Sequence, residues 1–186
     1  MTQRPPPPVT PDSFEILAVR ELRKAGLDVA DTRIQRRTEL ADPERGFLLE
    51  LRAWVSRAAW SKRALIACRR QDGGGAIGRA AIDDLTQRLG PADAQVGLLF
   101  GNAEFAPDAL AAAEEQGIAL LRLVDARTAY DTGGWGDPGH YPSWLPAYLA
   151  QLVDRDPSGQ TRYRLLEAGG AELIVDRLER KEAPHG

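Results

Sequence analysis

Residues 63–71, Arg-Ala-Leu-Ile-Ala-Cys-Arg-Arg-Gln, put the chain's most suggestive chemistry on one short stretch. An apolar centre runs out into Arg69, Arg70 and Gln71. Alternate side chains of a strand share a face. Ala67, Arg69 and Gln71 therefore point one way, and Cys68 and Arg70 the other. The strand end is positively charged. Cys68 reads as a small core residue, because neither His140 nor His185 is placed to activate it as a nucleophile. Directly after comes Gly73-Gly74-Gly75-Ala76-Ile77-Gly78, which matches G-x-G-x-x-G between a strand and a helix. Such a turn can seat a pyrophosphate on the helix N-terminus, so nucleotide binding is one reading. The full fingerprint also wants an acidic residue about twenty positions on, at the end of the next strand. That strand ends in Phe100-Gly101, and Asp93 precedes it instead. A flexible turn, with the helix N-terminus free to meet a phosphate, is the other reading.

The elements that must position these residues follow from periodicity. Phe14, Leu17, Ala18, Leu22 and Ala25 fall at helical spacing, with Asp12 and Glu15 in a capping-box pattern and Gly26 as the stop. Residues 27–35 predict a short basic strand, and residues 38–46 a loop. From Phe47 to Val55 the chain alternates: Leu49, Leu51, Ala53 and Val55 on one face, Leu48, Glu50, Arg52 and Trp54 on the other. Residues 57–62 predict a turn carrying Trp60. Arg63 to Arg69 is apolar on both faces, which suggests a central strand. A helix over 76–89, a strand over 95–100, a helix over 105–116 with Pro107 in its first turn, and a strand over 118–124 complete the order αβββαβαβ. This predicts an α/β sandwich with a mixed central sheet over residues 12–125. Residues 1–11, with four consecutive prolines, read as a disordered leader. Residues 126–186 read as a C-terminal extension packed on the core. In it, 142–153 suggests a short helix with Trp144 and Tyr148, and 162–167 with 171–179 a closing hairpin or short helices.

Composition narrows the function classes. One cysteine and two histidines exclude an internal disulfide framework and argue against structural zinc or a histidine-based metal site. There is no signal-peptide pattern and no apolar run near the ~18 residues that span a bilayer, so the expectation is a cytoplasmic protein with no membrane partner. The net charge is −3, but residues 1–80 hold 15 Lys/Arg against 10 Asp/Glu, while the remainder holds 9 against 17. An anionic partner would prefer the first half.

The element order, with "FEILAVRELRKAGLDV" opening and "FAPDALAAAEEQGIALLRL" closing, resembles the restriction-endonuclease-like fold and, within it, the Mrr-like restriction endonucleases. The resemblance covers residues 12–124. It implies a magnesium-dependent phosphodiesterase acting on DNA, in which an acidic strand residue and a Glu/Gln-x-Lys pair on the next strand converge on the metal. Carried over, the pair falls on Ala67 and Arg69. Ala67 cannot bind a metal, and Arg69 keeps the charge in a planar, larger group. The acidic residue falls at Glu50, the one implied metal ligand, or at Arg52. The first-helix glutamate of the family matches Glu15, and Gln71 stands beside Arg69. Glu15, Glu50, Arg69 and Gln71 are thus the candidate catalytic residues, and Arg33, Arg36, Arg37 and Arg70 the candidate DNA contacts. The leading expectation is a DNA-binding nuclease-fold protein with a degraded site. An active magnesium-dependent endonuclease with a relocated site is the alternative, and a nucleotide-binding protein the second. Glu15 and Glu50 also have plain structural readings, as a helix N3 residue and as an exposed strand charge. A homodimer is left open.

Overall fold

The computed structural model describes residues 6–132 and 146–180, with the side chains of 130–132 left out. Seven strands form one mixed sheet in sequence order. β1 (Asp28–Leu40), β2 (Gly46–Arg57) and β3 (Trp60–Gln71) are antiparallel neighbours. β3, β4 (Val96–Gly101) and β5 (Ile118–Asp125) run parallel, joined through α2 (Arg79–Leu89) and α3 (Pro107–Gln116). β6 (Tyr148–Arg155) and β7 (Thr161–Leu165) extend the far edge antiparallel. α1 (Pro11–Ala25) and α5 (Ala171–Glu179) cover one face of the sheet with Phe14, Leu22, Ile174 and Leu178 packed on Leu49, Ile66 and Leu121. α2 and α3 cover the other with Ile82, Leu85, Leu110 and Ala113 on Leu65, Ala67 and Leu120. This is the α/β sandwich that the periodicity predicts. A short α4 (Ala126–Thr132) follows β5. Among the described residues no helix is long and apolar enough to cross a membrane.

Several boundaries differ, each for a local reason. α1 is capped by Thr10 and Ser13, not by Asp12: the Thr10 hydroxyl accepts from the Ser13 amide and the Ser13 hydroxyl from the Thr10 amide. Such a cap is worth about 1 kcal/mol. Phe14 and Leu22, both fully buried, anchor the helix at about 1.5–3 kcal/mol each. The predicted loop shrinks to residues 41–45 because β1 runs on to Leu40. The long edge strand is mostly exposed, so its sequence lacks the alternation that marks a half-buried strand; it carries two irregularities, near Ala30/Arg33 and Ile34/Arg36. Trp60 starts β3 rather than lying in a turn.

The helix expected over 142–153 is replaced by β6. Residues 133–145, Trp144 among them, lie outside the described residues, and Leu149–Val153 are buried from both sides, Ala150 and Leu152 under α1 and α5, Val153 toward α3. A continuous apolar run of that kind does not distinguish a core strand from a buried helix. α1 is stitched to β6 by Glu21, whose buried carboxylate accepts from the Ala150 amide at 3.1 Å, and by Arg20, which donates to the Tyr148 carbonyl at 2.6 Å. The leader is also engaged. Val9 is buried in the α1 layer, Tyr148 Oη donates to the Pro7 carbonyl at 2.6 Å, and Arg70 donates to the Val9 carbonyl at 2.5 Å. Residues 1–5 and 181–186 lie outside the described residues.

Candidate nucleic-acid interface

The register of β2 on β3 sets Glu50 opposite Ala67 and Leu48 opposite Arg69. These side chains share the α2/α3 face. Glu50 is fully buried, not an exposed strand charge. Its Oε2 accepts from Arg88 Nε at 3.1 Å and Nη2 at 2.9 Å. Arg36, opposite Glu50 on β1, brings Nη2 within 2.7 Å of Oε1 as a charge contact without hydrogen-bond geometry, and the same nitrogen donates to Asp84 at 2.5 Å. Arg88 comes from the last turn of α2, and its hydrogen bonds to Glu50 push its pKa up further. Two guanidiniums and two carboxylates thus balance inside one lock over the sheet.

Arg69 and Gln71 form a separate group at the end of β3. Arg69 Nε donates to Gln71 Oε1 at 3.1 Å, and Nη2 to Glu44 at 2.5 Å. The Gln71 side chain is buried and donates to the Gly75 carbonyl at 2.8 Å. Its backbone amide donates to Asn102 Oδ1 at 2.8 Å, and its carbonyl accepts from Asn102 Nδ2 at 3.1 Å. Glu44 and Asn102 carry no sequence signal of this role: one sits in a short loop, the other just past β4. The loop is drawn in by backbone. Gly46 has φ +122°, and a Cβ there would lie 2.0 Å from the Arg70 carbonyl. A side chain at Gly73 would meet the Pro43 carbonyl at 1.9 Å.

Glu15 stands apart from both groups. It belongs to α1, on the opposite face, where burial and then the Glu15 charge push the Cys68 thiol far above its ordinary range. The four candidate catalytic residues therefore do not converge: the sheet separates Glu15, and Glu50 and Arg69 have different partners.

Close packing requires Gly73 in the glycine turn, whereas a Cβ at Gly74 or Gly78 would meet nothing within 4 Å. The Gly73 amide donates to the Glu44 carbonyl at 2.9 Å and the Ile77 amide to the Glu104 carbonyl at 2.7 Å, while Ile77 bridges to Phe105. Two amides that a pyrophosphate cradle would use are already bonded.

Of the candidate DNA contacts, Arg33 and Arg37 are exposed, Arg37 with Asp12 at 3.4 Å. Arg36 belongs to the Glu50 lock, and Arg70 is held by Asp72 at 2.9 Å and by Val9. Arg52 emerges beside them. It lies directly opposite Arg33 across β1–β2, and neither has an ion pair among the described residues. Like charges directly opposite repel, so this pair favours an anion between or over its guanidiniums. The signal was present in the alternation of β2, which set Arg52 on the Glu50 face.

Magnesium does not fit these residues. It takes carboxylate and water oxygens in near-octahedral array. Both Glu50 oxygens face guanidiniums, Ala67 offers nothing, and Glu44 is engaged by Arg69. No cluster of three or more His, Cys, Asp or Glu among the described residues is arranged to hold a metal ion.

No curated protein and no solved structure matches the chain. A family model, Mrr_cat, described as restriction endonuclease, matches residues 8–128, from the leader into α4. That span holds the β1–β5 sheet, its three helices and the Glu50 and Arg69 positions. The chain belongs to the Mrr_cat restriction endonuclease family.

Proposed function

We propose that this member of the family binds DNA through the β1–β3 face and has lost metal-dependent phosphodiester cleavage. The observation that carries the reading is the charge arrangement of that face. Its buried carboxylate, Glu50, is consumed by Arg36 and Arg88, while Arg33 and Arg52 face each other without an acid. Family members that hydrolyse phosphodiesters need a cation to offset transition-state charge and to generate hydroxide. Here the groups that would hold it are neutralised internally. What remains is an arginine-bearing surface suited to backbone phosphates, which position a protein on DNA without reading sequence.

Duplex binding measured by fluorescence anisotropy across a salt series tests this. The affinity is expected to fall linearly with log salt, by about 0.9 decades per decade for each phosphate contact. Arg33→Gln with Arg52→Gln should lower that slope by about two contacts. Absence of salt-dependent binding would refute the reading. Magnesium-dependent nicking by the unaltered protein would support instead an active endonuclease with a relocated site.

A further inference from the structure

A second cluster of arginines lies outside the matched family span, in the acidic half of the chain. It is built on β6, β7 and α5. Asp154 on β6 is buried. Arg162 lies opposite it on β7 and grips it bidentately, Nε to Oδ1 and Nη2 to Oδ2, both at 2.8 Å. Arg164 donates Nη2 to the same Oδ2 at 2.6 Å. Arg177 of α5 brings Nη2 only to 4.0 Å from Oδ2. One carboxylate therefore faces three guanidiniums.

The surrounding charges do not restore balance. Glu114 of α3 is the other acid that acts on Arg177, and it is itself held by Arg155. Asp156 acts on Arg162 but is bonded within its own turn to Ser158 and Gln160. Arg180 adds a further positive charge beside Arg177. The Arg177 side chain is only 7% exposed, yet its Nη1 has no hydrogen-bond partner, and neither has the buried Nε of Arg164. Buried polar groups are nearly always paired, and a guanidinium left unpaired in the interior is costly. Unused donors on converging guanidiniums, with excess positive charge, are the chemistry that recognises a tetrahedral oxyanion.

We propose that Arg162, Arg164 and Arg177 form a binding site for a phosphate group, with Asp154 holding the three guanidiniums converged when the group is absent. Arg162 and Arg164, 41% and 31% exposed, form the open side, and Arg177 forms the floor. The phosphate accepts from the donors that Asp154 leaves unused. The site is independent of the β1–β3 face, so it stands or falls separately from DNA binding there. Its phosphate could come from free inorganic phosphate or from a DNA backbone, and the test separates the two.

The test uses the full chain, with inorganic phosphate as the probe in one arm and duplex DNA in the other. Phosphate is titrated by calorimetry and thermal shift at millimolar concentration and matched ionic strength, below the range where it stabilises proteins by exclusion from their surfaces. Arg164→Gln removes one fork, Arg164→Lys keeps the charge without the fork, and Arg63→Gln is a distant control. If the phosphate is free, the unaltered protein and Arg63→Gln bind it saturably, Arg164→Gln binds about tenfold or more weakly, Arg164→Lys falls between, and Arg164→Gln leaves duplex affinity unchanged. If it belongs to DNA, Arg164→Gln also lowers duplex affinity, with a salt slope smaller by about one contact. A duplex affinity that falls in this way without a response to inorganic phosphate likewise supports the site and assigns it to DNA. The proposal is overturned if Arg164→Gln changes neither the response to phosphate nor duplex affinity.

Discussion

Glu50 and Asp154 are both buried carboxylates held by arginines, and they differ in what is left over. At Glu50 two guanidiniums meet two carboxylates, its own and that of Asp84. At Asp154 three guanidiniums meet one. A buried ion pair gains little net stability over an apolar replacement, but loss of one partner is severe, because the other charge stays buried. The Glu50 group is balanced in charge, although the buried Arg36 Nε in it has no hydrogen-bond partner either. Imbalance leaves the Asp154 group with donors for a further anion. The lock stands where the resemblance puts a metal ligand, whereas the unbalanced cluster stands on strands outside the matched span.

The largest expected effect comes from breaking the lock. Glu50→Ala leaves Arg36 and Arg88 facing each other over the sheet and should cost about 3–5 kcal/mol in urea unfolding. Adding Arg88→Met should recover part of that loss, so the double substitution is less than additive. Equal, additive losses would mean that Glu50 and Arg88 are not coupled.

Asp154→Asn should cost less, about 1–3 kcal/mol, because the amide keeps one oxygen to accept from Arg162 or Arg164, whereas Glu50→Ala removes both acceptor oxygens. It also sharpens the comparison. Millimolar phosphate should stabilise this variant more than the unaltered protein, since the anion replaces a lost charge. An equal thermal shift in both would remove the distinction between the two clusters.

A smaller effect is expected on acidification. Burial alone would raise the Asp154 pKa, but the hydrogen bonds from Arg162 and the charges of Arg164, Arg162 and Arg177 outweigh it and hold the carboxyl below its usual range. Arg155 holds Glu114 low in the same way, chiefly by hydrogen bonding. A carboxyl whose pKa is lower in the folded state contributes stability above its unfolded value and loses it as pH falls through the folded value. Urea midpoints should therefore drop below about pH 4, and Asp154→Asn should flatten that drop. A variant with an unchanged acid slope would exclude Asp154 from it.

The central fold was legible because its signals are local: the alternation of β2, the two-sided apolar centre of β3, and proline and glycine at the ends of α3. The face of Glu50 was legible for the same reason. Its partner was not, since Arg88 arrives from the end of α2, and no period in one segment reports a contact between two. Glu44 and Asn102 were hidden similarly. β1 reads short in the sequence because an exposed edge strand has no core face to mark it, and β6 reads as helix because burial on both sides erases its alternation. A net charge taken over half the chain averages away the guanidiniums around Asp154, which lie in the acidic half.

The most direct test of the central claim is nicking of supercoiled plasmid by the unaltered protein, with magnesium or with chelator. Salt-dependent binding with no nicking in either condition is predicted, because Arg36 and Arg88 already occupy Glu50. Nicking that requires magnesium and stops with chelator would contradict the account.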